Sequence, residues 1–390
     1  MMRRGAPTLL VTGAGPPYDA AVTTTPADTK LAAQQFPFGG SARRARRMLG
    51  QSWGHPVARA ILKALITIYV ATTLTFFLIR LLPGSPVEIK IDELTKDGAM
   101  SYAEAAALAS TLFSIDLSAP IHEQYLSFLG NTFRGDLGHS FLSQGTTVSS
   151  IILAVLPWTL FSVGVGSLLS FSAGIFLGLL AAYRRNSVLD HVLSTGGSII
   201  SSVPNFLLAL LIVLILGVQL RWVPMTQMRG TFTPGIQPGL SPAFIGDVFF
   251  HAALPISVYF LTTIGHWILS MKSATIGALD EDYVTVARAR GLGESRIRTA
   301  YVGRNAVLPL VTQFAIHMGF IVGGAALIEQ IFVYQGVGLR LLTAVSQRDY
   351  PVMQGILLMT TVAVVVANLI ADLLYTRLDP RIGRAGGAAG

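Results

Sequence analysis

The chain has 390 residues, of which 52% are apolar and only 12% charged, with a formal net charge of +8 and no cysteine. Soluble domains carry about 25% charged residues, so this composition excludes an ordinary soluble protein and points to a membrane protein. Lack of cysteine excludes disulfides, thiolate metal sites and thiol catalysis. The positive charge lies mostly beside apolar runs, where membrane topology accounts for it without a nucleic-acid partner.

Residues 1–54 are rich in Ala, Gly, Pro and Thr, lack apolar periodicity and close on Arg43, Arg44, Arg46 and Arg47. Such a segment buries too little surface to offset its chain entropy, so disorder is expected, with the arginines as a cytoplasmic anchor and Met48 as an alternative start. A first span is expected from about Ile61 to Leu82, ended by Pro83-Gly84-Ser85-Pro86. Residues 87–150 carry many polar groups and a helical pattern around Ala103 to Phe113, and read as a sizeable loop outside the cytoplasm.

A second span from about Ile151 to Tyr183 is longer than a bilayer needs, and its glycines permit close helix packing. The third, roughly His191 to Leu220, contains Pro204, which predicts a kink or the start of the helix proper. A Pro- and Gly-rich loop at 223–246 precedes a fourth span near Val248 to Met271. The fifth and sixth spans are expected at about Val307 to Ile331 and Val352 to Tyr375, with a flexible tail at 386–390. With both termini inside, the inner segments hold 20 of the 28 Lys and Arg, so the termini and the connection at 272–306 are expected in the cytoplasm.

That connection contains a charged island, Asp280 to Pro309. Asp280, Glu281 and Asp282 at its start and Arg288 and Arg290 before Gly291 suit the two ends of a short helix. Gly291 and Gly293 are both candidates for the positive φ that ends it, and Glu294 suits the first turn of a second helix. Ile297, Ala300, Tyr301 and Arg304 would share one face of that second helix, and Pro309 would open the next span. Charge is too costly for the bilayer centre, so the island lies beside the membrane and is read by something outside it.

Tyr283, Val284, Ala287, Arg288, Ala289, Arg290, Gly291 and Leu292, followed by Arg304, Asn305, Ala306 and Pro309, resemble the coupling (EAA) loop of permease subunits in ATP-binding-cassette importers of the dipeptide, oligopeptide and nickel branch. Thr285 stands where the general signature has its first glutamate, so no role of that glutamate is carried over, and the proline comes late. The run Ile115 to Phe141, with Gln124-Tyr125 and Gly135-Asp136-Leu137-Gly138, and the tail Asp379-Pro380-Arg381-Ile382 are similar to the same branch, so the resemblance covers about residues 55–385.

The resemblance implies an all-α permease with six transmembrane helices in the plasma membrane. A second, homologous permease would pair with it, two ABC ATPases would bind ATP and Mg, and an extracytoplasmic solute-binding protein would deliver a short peptide or related solute. No cofactor and no catalysis are expected in this chain. ATPase coupling would fall on Asp282, Tyr283, Ala287, Arg288, Arg290, Gly291 and Leu292, with Arg288 also readable as a simple topological anchor.

Glu329 and Asp372 are the acids of the later spans, each readable either as a capping or snorkelling group or as a pathway or gating residue. His266 and His317 lie in expected spans and read as hydrogen-bonding helix contacts rather than metal ligands. No phosphate-cradling GxxxxGK[ST], HExxH or GxSxG motif occurs. An ATP-independent secondary transporter or channel is the alternative, and it would call for paired intramembrane charges or symmetric broken spans.

Overall fold

The computed structural model describes residues 41–81, 86–96, 100–112, 120–143 and 145–378. The chain divides into two units, Met1–Trp53 and Gly54–Gly390. Among the described residues the regular structure is helical: α1 Ser41–Arg80, α2 Pro86–Lys96, α3 Tyr102–Leu112, α4 Ile121–Phe133, α5 Val148–Tyr183, α6 Val188–Ser202, α7 Asn205–Ile212, α8 Pro242–Leu279, α9 Asp282–Ala289, α10 Glu294–Arg296, α11 Arg304–Gly324, α12 Ala326–Phe332, α13 Val337–Ser346 and α14 Tyr350–Leu378. Two π-helical segments, Val213–Gln219 and Ile297–Gly303, extend α7 and lead into α11.

Four described helices are long and apolar enough to cross a membrane, within α1, α5, α8 and α14, or five if the bent pair from Val188 to Gln219 is one span. The expected third span is not straight. Its halves meet at 96° because Val203, before Pro204, is pushed into extended backbone and breaks the helix. The expected fifth span is split at Ala325 between α11 and α12. Helix α1 begins at Ser41, within the stretch expected to be disordered, while the expectations for residues 1–40 and for the tail from Asp379 lie outside the described residues.

The centre of the fold is the α5–α8 pair, joined along a seam of small residues. A Cβ at Gly166 would meet Tyr259 Cβ at 2.7 Å, one at Gly178 would meet the Ile268 carbonyl at 2.6 Å, and one at Gly174 would overlap Trp267. Between them the Thr263 hydroxyl donates to Ser170 Oγ at 2.7 Å. Small residues at four-residue spacing let the two backbones approach, which is how helices associate where lipid removes the hydrophobic drive. On another face of α8, Gly265 packs on Gly197 of α6, and Lys272 forms an ion pair with the buried Asp190.

Three buried clusters follow this axis. One, with Ile79, Ile91, Ala105, Val148, Val337 and Ile356, gathers the segments between the first two spans against α13 and α14. A second surrounds Tyr259 and Tyr334. The third holds Met271, Val284, Ala287, Ile297, Val302 and Leu310, and so ties α9 to the end of α8 and the start of α11. Helix α3 opens on a capping box: Ser101 N–H donates to Glu104 Oε2 at 3.0 Å, and Glu104 N–H to Ser101 Oγ at 3.4 Å. The Ser101 backbone and hydroxyl donors hold the Glu104 carboxyl below its usual range.

A candidate coupling site and its buried carboxylates

Helix α8 ends at Leu279, and Glu281, in extended backbone, precedes α9. Asp282 in the first turn and Arg288 in the last complement the helix dipole. Val284 and Ala287, one turn apart, are 0% and 2% exposed, so a single apolar stripe fixes this two-turn helix on the third cluster. A helix this short has no stability of its own in water. Packing of that stripe holds it.

Arg290 caps the C-terminus and Gly291 takes φ +76°. Gly291 N–H donates to the Arg288 carbonyl at 2.9 Å and Leu292 N–H to the Ala287 carbonyl at 3.3 Å, which is a Schellman motif. Gly293 does not share this role: at φ −62° and ψ 140° it is the N-cap of α10. The Glu294 carboxylate lies 3.2 Å from Arg288 Nε and 4.0 Å from Arg298 Nε. Arg298 in turn stands 5.0 Å over the Tyr183 ring, whose hydroxyl donates to the Arg298 carbonyl at 3.0 Å. These pairs are solvent-exposed and contribute at most about 1 kcal/mol each. What they do is lace the turn to the end of α5.

The expected second helix is π-helical from Ile297 to Gly303, and the wider turn changes its buried face. Ile297 and Val302 are buried, while Ala300 and Arg304 are exposed and Tyr301 is half-buried. Gly303 is required because a Cβ there would come within 2.9 Å of the Arg298 carbonyl. Pro309 lies inside α11, already under way from Arg304, rather than opening it.

The coupling residues named from the sequence therefore divide by face. Ala287 turns into the fold, Tyr283 and Leu292 are half-buried beside it, and Asp282, Arg288, Arg290 and Gly291 are exposed. Ala287 is covered by its own chain. The outward face is instead completed by Thr285, Ala289 and Val286, the last 55% exposed. The sequence signal for Val286 was its position two residues from the buried Val284, on the other side of the helix.

Residues 174–384 match the family described as binding-protein-dependent transport system inner membrane component. The chain belongs to that family. It is 32% identical to the oligopeptide transport system permease protein AppB of Bacillus subtilis over 326 residues, 84% of this chain and 98% of that protein. To the di/tripeptide transport system permease protein DppB of Pseudomonas aeruginosa it is 34% identical over 337 residues, with 84% and 98% covered. A Brucella suis protein provisionally named as a peptide permease is 38% identical over 314 residues, 80% of this chain and 93% of that one. These relatives are transport permease subunits rather than enzymes. Family membership and the long apolar helices make the chain a multi-pass membrane protein.

Buried carboxylates of this inner membrane component accept hydrogen bonds from other elements of the fold. Glu329 is 0% exposed. It accepts from the Thr159 hydroxyl at 2.6 Å and from Leu339 N–H at 2.9 Å, while Thr159 Oγ1 accepts from Val337 N–H at 2.8 Å. A carboxylate on α12 thus supplies the N-terminal cap that α13 lacks in its own sequence, where Gly336 is the N-cap residue. Of the two readings of Glu329, these contacts are those of a capping acid. Asp372 lies within α14, and its side chain is outside the described residues.

Two further acids were not singled out from the sequence. Asp349, 1% exposed, accepts from the Ser140 hydroxyl and, at 3.1 Å, from Phe141 N–H, fixing the chain before α5 to the corner before α14. Asp190 accepts from Asn186 N–H at 3.0 Å and from the Ser194 hydroxyl at 3.0 Å besides pairing with Lys272. The signal available for Asp190 was Ser187 three residues before it, a capping-box spacing, and the two do bond, with Asp190 N–H donating to Ser187 Oγ at 3.2 Å.

Proposed function

We propose that this chain is one of two homologous permeases that together form the path of an ATP-driven importer for short peptides. Peptide as the solute is drawn from the names of the relatives, and the importer class from the family. In this reading six helices cross the plasma membrane, α11 among them, both termini and α9 face the cytoplasm, and α2 to α4 face the solute-binding protein. Two ATPase subunits bind ATP and Mg and dock on α9.

The observation that carries the mechanism is the two-faced α9. Its inner stripe, Val284 and Ala287, is embedded with α8 and α11, and its outer face presents Asp282, Val286, Arg288 and Arg290. A force applied by closing ATPases on the outer face is transmitted to α8 and α11 through close-packed side chains, which deform little. Those helices rock between inward-facing and outward-facing states, and coupling exists to the extent that the ATPases contact α9 differently in the two. The test is reconstitution of both permeases, both ATPases and the binding protein in proteoliposomes. Uptake of a tripeptide that needs both ATP and the binding protein is expected; uptake independent of ATP would refute the reading.

A further inference from the structure

His251, His266 and His317 lie in long helices and have different surroundings. His251 is 2% exposed and its Nδ1 lies 2.9 Å from the Asp247 carbonyl oxygen, a satisfied core histidine. His266 on α8 and His317 on α11 are both exposed, and neither imidazole hydrogen-bonds to another described residue. His266 stands about 20 Å along α8 from its end at Leu279, and His317 about 20 Å along α11 from its start at Arg304, counting 1.5 Å per residue. Their contacts with the Trp267 ring put the two imidazoles at one level of the bundle, and in the importer reading that level lies within the membrane.

They also share a support. The Trp267 indole meets His266 at 4.9 Å and His317 at 5.9 Å between ring centroids, both edge-to-face. Trp267 is itself 1% exposed and is held by Phe171 at 5.0 Å and Phe314 at 5.8 Å. Its Nε1–H has no hydrogen-bond partner among the described residues. An imidazole turned to lipid would forfeit hydrogen bonds at both nitrogens, and ionisable side chains inside membranes face a water-filled cavity or the bundle interior.

We infer that His266 and His317, fixed on the Trp267 platform, line the solute path and hydrogen-bond the amide groups of a passing peptide; this rests on the importer reading above. A neutral imidazole offers one donor and one acceptor, the same complement as a peptide unit. It carries no fixed charge that would hold the solute, and a path must bind weakly enough to release. The aromatic packing beneath keeps both rings from collapsing onto each other as the helices rock.

The chain's lack of cysteine makes a direct test available. In the reconstituted complex, His266→Cys and His317→Cys are expected to react with a charged methanethiosulfonate reagent, and ATP, binding protein and trialanine together are expected to slow that reaction. The His266→Ala, His317→Ala double variant should take up trialanine about tenfold less per ATP hydrolysed, the effect expected of two neutral hydrogen bonds. Asn at both positions, which retains a donor and an acceptor, should restore most of it. Inert cysteines, or an unchanged ratio of uptake to hydrolysis in the double alanine variant, would overturn the assignment while active wild-type uptake leaves the importer reading standing. Absence of ATP-driven trialanine uptake by the wild-type complex would remove both.

Discussion

The backbone N–H of Leu292 reaches back to the Ala287 carbonyl at 3.3 Å, across a turn in which Gly291 holds φ at +76°. A Cβ built on Gly291 would meet nothing within 4 Å, so the demand for glycine comes from the backbone alone. Left-handed backbone costs other L-residues about 1–2 kcal/mol, and more for a β-branched one. Gly291→Val should therefore re-aim α9 without disturbing insertion of the spans. ATP hydrolysis by the purified complex in lipid should lose its stimulation by loaded binding protein, and Gly291→Ala should lose less. Full stimulation with full uptake in Gly291→Val would show that this turn does not couple.

Ala287 and Val286 are neighbours with opposite surroundings, 2% and 55% exposed. Ala287→Trp would overpack the cluster around Val284 and Ile297, at a cost of about 1–3 kcal/mol. Lowered thermal stability of the isolated permease pair is expected. Val286→Asp should leave that stability within about 0.5 kcal/mol and weaken ATPase binding instead. Equal effects of the two variants on stability would contradict the division of faces.

Glu329→Ala would leave the Leu339 N–H and the Thr159 hydroxyl without their acceptor at a buried position, at about 1–3 kcal/mol for each group left unsatisfied. The melting temperature of the purified complex should fall accordingly. If Glu329→Ala instead altered the apparent affinity for peptide at unchanged melting temperature, the carboxylate would belong to the path and not to the cap.

Lys272→Met would strand the buried Asp190, which costs about 3–5 kcal/mol, whereas removing both charges together is far milder. The expected order of melting temperature is wild type, then Asp190→Asn with Lys272→Met, then Lys272→Met alone. A double variant no better than the single one would mean that the pair does not hold α6 to α8.

Glu104 gives a pH dependence with a definite sign. Its carboxyl is held below its usual range by the Ser101 donors, so the capping contribution is complete above the unfolded value and disappears as pH falls through the lower, folded one. Hydrogen-exchange protection of the first turn of α3 should drop in that acidic window. Glu104→Gln retains the capping box but not the titration, and should flatten the dependence.

What the sequence by itself determined about this protein are the features written in neighbouring residues. Apolar runs of bilayer length placed the first, second, fourth and last spans, and the acids, arginines and Gly291 around α9 placed a helix and its turn. Each depends on backbone geometry or hydropathy within a few residues, so no distant partner was needed. Tertiary structure decided the rest. Gly291 and Gly293 are alike in sequence, yet only Gly291 has positive φ, because Leu292 is drawn into the cluster around Ala287. The π-helical turns after Ile297 moved the buried face from Ala300 to Val302, a shift that a 3.6-residue period does not contain. Glu329 and Thr159 are 170 residues apart, and Asp349 and Phe141 are 208 apart. Whether such a carboxylate caps a helix or faces a path depends on which backbone N–H groups the packing leaves unpaired beside it, and local sequence does not carry that information.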